Sequence, residues 1–106
     1  ASGQTWDNYF NAKLKSKIGM TGSWLSSGNN SVYWSTARSM ARFGLLISAN
    51  GTWNGTEIIN SAYLNEAHTT SQTINLAYGY LWWLNNTGTT SPLTYKGCLG
   101  EPFLFF

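Results

Sequence analysis

Apolar residues at Trp6, Phe10, Leu14 and Ile18 recur every four positions, which places them on one face of a helix. Thr5 precedes the run as an N-cap, Asp7 lies in the first turn, and Gly19 follows as a stop. From Thr21 to Asn30 the chain is rich in Gly, Ser and Asn and reads as a loop anchored by Trp24. A second helix, capped by Ser35 or Thr36, is expected to run to about Ile47; its later half is apolar on nearly every side, so Leu45 and its neighbours should be buried. Arg38 and Arg42 lie one turn apart on it and read as a solvated face. Asn50-Gly51 closes this helix, and Trp53-Asn54-Gly55-Thr56 reads as a tight turn between short extended pieces.

A short helix should start at Asn60 or Ser61 and end near Ala67. The aromatic run from Ala77 to Leu84 has the length and composition of a strand, with Gly79 allowing another backbone to approach closely. A Gly/Thr/Ser loop is expected from Asn85 to Pro92. The weakly alternating stretch after it closes on Phe103-Leu104-Phe105-Phe106, an apolar segment that something must cover. Helices followed by a strand imply an α+β fold, with helices packed on a small, incomplete antiparallel sheet in a single domain over residues 1–106. Open strand edges and that apolar segment together predict a homo-oligomer.

Composition changes this picture in two ways. Charged residues make up 9% of the chain, against about 25% in an average domain, so surface is scarce and interior plentiful. Aromatic residues make up 16%, enough buried area for a core despite the 106-residue length. The formal charge of +2 includes Lys13, Lys15 and Lys17, a cluster that fits the C-terminal end of the first helix and is too small for nucleic-acid binding. A lone cysteine, Cys98, excludes an internal disulfide. No run is long and apolar enough for a membrane span, and the first residues lack a signal-peptide pattern; the missing initiator Met suggests processing or excision from a longer product. Asn-x-Ser/Thr sequons begin at Asn29, Asn50, Asn54 and Asn85, as a chain so rich in Asn, Ser and Thr produces by composition alone.

Few residues suggest chemistry of their own. His68 is the only histidine, with Glu66 two residues before it and Ser71 three after. A Ser71–His68–Glu66 triad requires the helix to end between Glu66 and His68, because residues two apart on a helix point to different faces; a dipole partner at the helix end is the plainer role for His68. One Cys, one His and four scattered carboxylates provide no metal-ligand cluster, and no cofactor motif is present. Trp24, Tyr33, Trp34, Tyr80, Trp82 and Trp83 could instead form an aromatic platform for a sugar or an apolar ligand, against the simpler reading that they are core.

Four stretches carry a more specific signal: Ala1-Ser2-Gly3-Gln4-Thr5; Ile18-Gly19-Met20-Thr21; the run from Tyr33-Trp34-Ser35-Thr36 through Ala37-Arg38-Ser39-Met40 to Ala41-Arg42-Phe43-Gly44; and Tyr78-Gly79-Tyr80-Leu81-Trp82-Trp83. In order and spacing these resemble consecutive landmarks of the β-lactamase-related serine hydrolases, which include class C β-lactamases, D-alanyl-D-alanine peptidases, certain esterases and 6-aminohexanoate-dimer hydrolases. The likeness covers residues 1 to about 88. It implies a piece of the β-lactamase/transpeptidase-like fold and, in the parent, hydrolysis of an amide or ester bond of a small molecule through an acyl-enzyme, in a periplasmic or secreted setting. A serine hydroxyl attacks only when a nearby base takes its proton, and backbone N–H groups must receive the oxyanion. The family supplies these parts through Ser-x-x-Lys, Tyr-x-Asn and Lys-Thr-Gly or His-x-Gly.

The residues three before Lys13, Lys15, Lys17 and Lys96 are Phe10, Ala12, Leu14 and Leu93, so Ser-x-x-Lys is absent. Tyr9-Phe10-Asn11 and Tyr63-Leu64-Asn65 have the Tyr-x-Asn form but stand downstream of where the family places it. Lys96-Gly97-Cys98 lacks the threonine of Lys-Thr-Gly. The chain is therefore expected to lack catalytic residues of its own, and residues 89–106 depart from the family altogether, as a truncated or shifted reading frame would. In the parent family the loop between the Gly-Met landmark and the following helix reaches the substrate cleft, which makes Trp24, Tyr33 and Trp34 the substrate-binding candidates.

Overall fold

A computed structural model describes residues 2–74, 76, 78–82 and 84. It has the expected α+β character: three helices, an antiparallel hairpin and a second, shorter strand pair among the described residues. These fall into two units, one ending at Ile59 and the other beginning at Asn60.

The first helix, α1, covers residues 6–18 as an α turn (Trp6–Phe10), a π turn (Asn11–Lys15) and a final α turn (Ser16–Ile18). The Thr5 side chain accepts the Asn8 N–H, so the expected N-cap is present. The π turn explains why a strict four-residue repeat works. In a helix of 3.6 residues per turn each step of four overshoots by about 40°, and a wider turn in the middle rotates the later residues back. Phe10 and Leu14 are half-buried and Ile18 is fully buried. At the C-terminal end Gly19 is left-handed (φ 70°) and the Met20 N–H reaches the Lys15 carbonyl at 2.9 Å, the six-to-one bond of a Schellman motif.

Thr21 to Asn30 is not the loop its composition suggests. Gly22–Ser27 (β1) pairs antiparallel with Asn30–Ser35 (β2), and Gly28-Asn29 is the two-residue turn between them. Gly28 has φ 59° while Asn29 keeps a negative φ, the sign pattern of a II′ turn, whose first central position favours glycine. Cross-strand partners Trp24 and Tyr33 share the inner face. The outer face carries Leu25 opposite Val32 and Ser23 opposite Trp34. Serine-rich strands conceal their alternation, because the polar positions on both faces look alike.

The second helix, α2 (Ala37–Ser48), is capped by Thr36, whose hydroxyl accepts the Ser39 N–H. It ends in a full Schellman motif, with Asn50 left-handed (φ 52°), Asn50 N–H bonded to the Ile47 carbonyl and Gly51 N–H to that of Leu46. Leu46 is fully buried and Ile47 nearly so, but Leu45 is 61% exposed, which corrects the expectation that the whole later half is interior. Only one face of α2 is covered within this unit. Ile18, Met20, Tyr33 and Leu46 form its core, with Phe10, Trp24, Phe43 and Trp53 among the half-buried residues packed around them. The strand pair Thr52–Trp53 (β3) and Thr56–Glu57 (β4) turns through Asn54-Gly55, both at positive φ as a type I′ turn requires. Asn50 and Asn54, which begin two of the sequons, are thus placed for their backbone conformation.

In the second unit, α3 runs over Ser61–Ala67, within the expected bounds, and of the two candidate first residues Asn60 is the one that caps it, through its side chain. The chain then folds back over the end of this helix. Residues 78–82 and 84 do not form the expected strand: Leu81 is left-handed (φ 62°), and the Gly79 N–H bonds to the Trp82 carbonyl at 2.9 Å, so the backbone reverses there. The Tyr80 N–H is donated to the Ala67 carbonyl at 3.0 Å, satisfying one of the orphan acceptors at a helix end. Gly79 does permit a close approach, since a side-chain carbon there would collide with the Ala67 carbonyl. Leu64, Ala67, Trp82 and Leu84 are the buried hydrophobic residues among those described in this unit.

Candidate functional site

The three residues singled out for substrate contact lie on the β1–β2 hairpin with opposite orientations. Trp24 and Tyr33 point inward, where their rings meet at 5.2 Å and each contacts Phe10, at 5.4 and 5.0 Å. Tyr33 is 5% exposed, and this packing fixes the hairpin to α1. Two buried groups there, Trp24 Nε1 and Tyr33 Oη, have no hydrogen-bond partner. Burial pushes the Tyr33 phenol above its ordinary range, and Ser35 donates its proton to the Thr21 carbonyl at 2.6 Å and not to the phenol. Trp34 alone faces outward, 66% exposed, on the same face as half-exposed Leu25.

A hydroxyl network joins the two ends of the hairpin to α2. Buried Ser39 accepts the Thr21 N–H at 2.9 Å, lies 3.2 Å from the Thr21 hydroxyl, and accepts a proton from the Thr36 hydroxyl at 3.1 Å. Sequence reasoning passed over Ser39, although its position three residues after the Thr36 cap was the available signal. Arg42 departs from the solvated face expected of it. It is half-buried, and its Nη1 donates to the Ile18 carbonyl at 3.0 Å, so the solvated reading holds only for Arg38. Lys15 likewise reaches the Gly22 carbonyl at 2.8 Å, whereas Lys13 and Lys17 are exposed as a solvated helix end would be.

Ser71, His68 and Glu66 belong to the second unit but are not joined as a triad. The Ser71 hydroxyl donates to the Tyr78 and Gly79 carbonyls, both at 3.0 Å. The Glu66 carboxylate accepts the Tyr80 hydroxyl at 2.6 Å, an interaction that raises the Tyr80 phenol above its usual value. His68 is the C-cap of α3; its ring stands edge-on to Trp82 with centroids 4.5 Å apart, and its Nε2 is buried without a partner. Burial lowers its basicity, where a pure dipole partner would have gained it. No serine hydroxyl among the described residues bonds to a lysine or histidine side chain.

No group of three or more His, Cys, Asp or Glu side chains among the described residues is placed to hold a metal ion. No helix among them is long and apolar enough to cross a membrane. Cys98, Lys96-Gly97, Trp83 and the apolar segment 103–106 lie outside the described residues. Comparison of the chain with protein-family models, with curated proteins and with solved structures found no match.

Proposed function

We propose that this chain is a scaffold segment of a β-lactamase-related serine hydrolase, contributing structure and one wall residue to a substrate cleft whose nucleophile and base lie in motifs it does not contain. What supports the reading is the convergence of two landmark stretches that the sequence keeps apart. Ile18-Gly19-Met20-Thr21 and the run from Tyr33 to Gly44 meet through the shared core, the Arg42–Ile18 bond and the Ser39–Thr21 bonds. These residues hold one another, which is the role expected of a family's framework as distinct from its catalytic groups. Within the hairpin, Trp24 and Tyr33 support the packing and Trp34 is the residue free to contact substrate.

The coding sequence around this segment tests the proposal: Ser-x-x-Lys followed by Tyr-x-Asn should be encoded upstream in the same frame. An upstream region without them would overturn it. A second reading, a non-catalytic binding module, is favoured by the exposed Trp34 beside Leu25 on one hairpin face. Quenching of tryptophan fluorescence by a neutral sugar or apolar ligand, lost in Trp34→Ala, would select that reading.

A further inference from the structure

We propose that His68 is an acid-triggered release for the turn covering the end of α3: a proton taken up from solvent at Nε2 displaces the Trp82 ring and opens residues 78–82. The geometry sets a fault line at this position. The His68 Nε2 atom is buried and has no hydrogen-bond partner, and the ring packs edge-on against Trp82. In the neutral imidazole with its proton on Nδ1, this site holds an unpaired lone pair, which costs less to bury than a charge. In the imidazolium it becomes a charged N–H donor that must find an acceptor or water.

Among the described residues no group accepts a hydrogen bond at this atom. Glu66 is the only charged side chain among the described residues of this unit, and its carboxylate is engaged by the Tyr80 hydroxyl at 2.6 Å. The other ionisable side chains among the described residues of this unit are phenols: Tyr63 on α3, and Tyr78 and Tyr80 on the returning segment, the last 6.3 Å from Tyr63 ring to ring. Charging His68 therefore favours a conformation in which Nε2 reaches water. Trp82 is the side chain whose ring packs on the imidazole. The Trp82 carbonyl holds the Gly79 N–H, and adjacent Tyr80 holds the Ala67 carbonyl, so moving Trp82 strains these two backbone bonds, while the Ser71 N–H still holds the Tyr78 carbonyl.

The direction of the pH effect follows from proton linkage. Burial depresses the affinity of His68 for a proton in the closed state below its ordinary value. The open state then binds more protons at mildly acid pH, so closure is fully favoured above about pH 6.5 and weakens as pH falls toward the closed-state midpoint. His68 is the only histidine of the chain, so its ring proton gives a single titrating NMR signal. Its midpoint in the intact chain should lie below about 6.5. Hydrogen-exchange protection of the Gly79 and Tyr80 amides should fall by up to about tenfold per pH unit between those limits, while the β1–β2 amides keep theirs. His68→Phe retains an aromatic ring and cannot be charged, and should hold that protection level from about pH 7 to 5.

A histidine midpoint at or above the ordinary value, as a cation held against the Trp82 face would give, overturns the proposal. So does unchanged protection across the midpoint, or an acid response that persists in His68→Phe. Should that variant fail to fold, the histidine titration and amide protection of the native chain decide the matter alone.

Discussion

Arg42 donates from Nη1 to the Ile18 carbonyl at 3.0 Å, so a side chain of α2 closes the C-terminal end of α1. The last carbonyls of a helix lack intrahelical donors and carry partial negative charge, which makes a guanidinium a suitable partner in both respects. Gly19 leaves the room for it: a side-chain carbon there would stand 2.9 Å from Nη1.

Arg42→Ala should accordingly destabilise the chain by about 1.5–3 kcal/mol in urea unfolding, the range for a hydrogen bond that involves a charged group. Arg38→Ala, on the exposed side of the same helix, should stay within about 0.5 kcal/mol. Equal effects from the two would show that the Arg42–Ile18 bond contributes nothing.

The contrast between Leu45 and Leu46 gives a second test. Leu46 is fully buried in the core with Ile18, Met20 and Tyr33, whereas Leu45 is 61% exposed. Leu46→Ala should cost about 2–5 kcal/mol and Leu45→Ala about 0.5 kcal/mol or less. A large loss at Leu45 in thermal or denaturant unfolding would mean that this face is covered in solution, as it would be in an oligomer.

The caps and turns of this fold were legible because they are local. Thr5, Thr36 and Asn60 as N-caps, Gly19 and Asn50-Gly51 as stops, and Asn54-Gly55 as a turn each follow from the chemistry of one or two residues. Two elements were misread for a common reason. In Gly22–Ser27 the alternation is diluted by serines, and in residues 78–82 an aromatic composition typical of strands is overruled by Gly79 and left-handed Leu81. Strand identity depends on a partner, and composition does not name one. The candidate site was less legible still. Which of Trp24, Tyr33 and Trp34 faces outward is fixed by the hairpin register, and a loop has none.

Gly79 sits where its backbone meets the Ala67 carbonyl too closely for any side chain. Gly79→Ala must push the returning segment away from α3 and so break the Tyr80–Ala67 bond. Destabilisation of about 1–3 kcal/mol is expected, read as lost amide protection at Tyr80 while Trp24 and Tyr33 amides are unaffected. Retention of the Tyr80 protection would show that the turn does not close on the helix in this way.

Covalent labelling tests whether the chain has a nucleophile of its own, and the described geometry gives reasons to expect none. An activated serine must donate its proton to a base within hydrogen-bond reach. Ser71 donates to two backbone carbonyls, Ser39 is buried among the hydroxyls of Thr21 and Thr36, and Ser35 donates to the Thr21 carbonyl. His68, the one imidazole, packs its ring on Trp82, and its Nε2 bonds to no serine hydroxyl among the described residues. Incubation with a fluorophosphonate or a β-lactam should therefore leave the intact mass unchanged, and nitrocefin and a nitrophenyl ester should turn over no faster than in buffer. Loss of His68 should not alter that background. A single stoichiometric adduct would reverse the conclusion, and if Ser71→Ala and His68→Phe each abolished it, the triad would have to assemble in a conformation where residues 78–82 have left the end of α3.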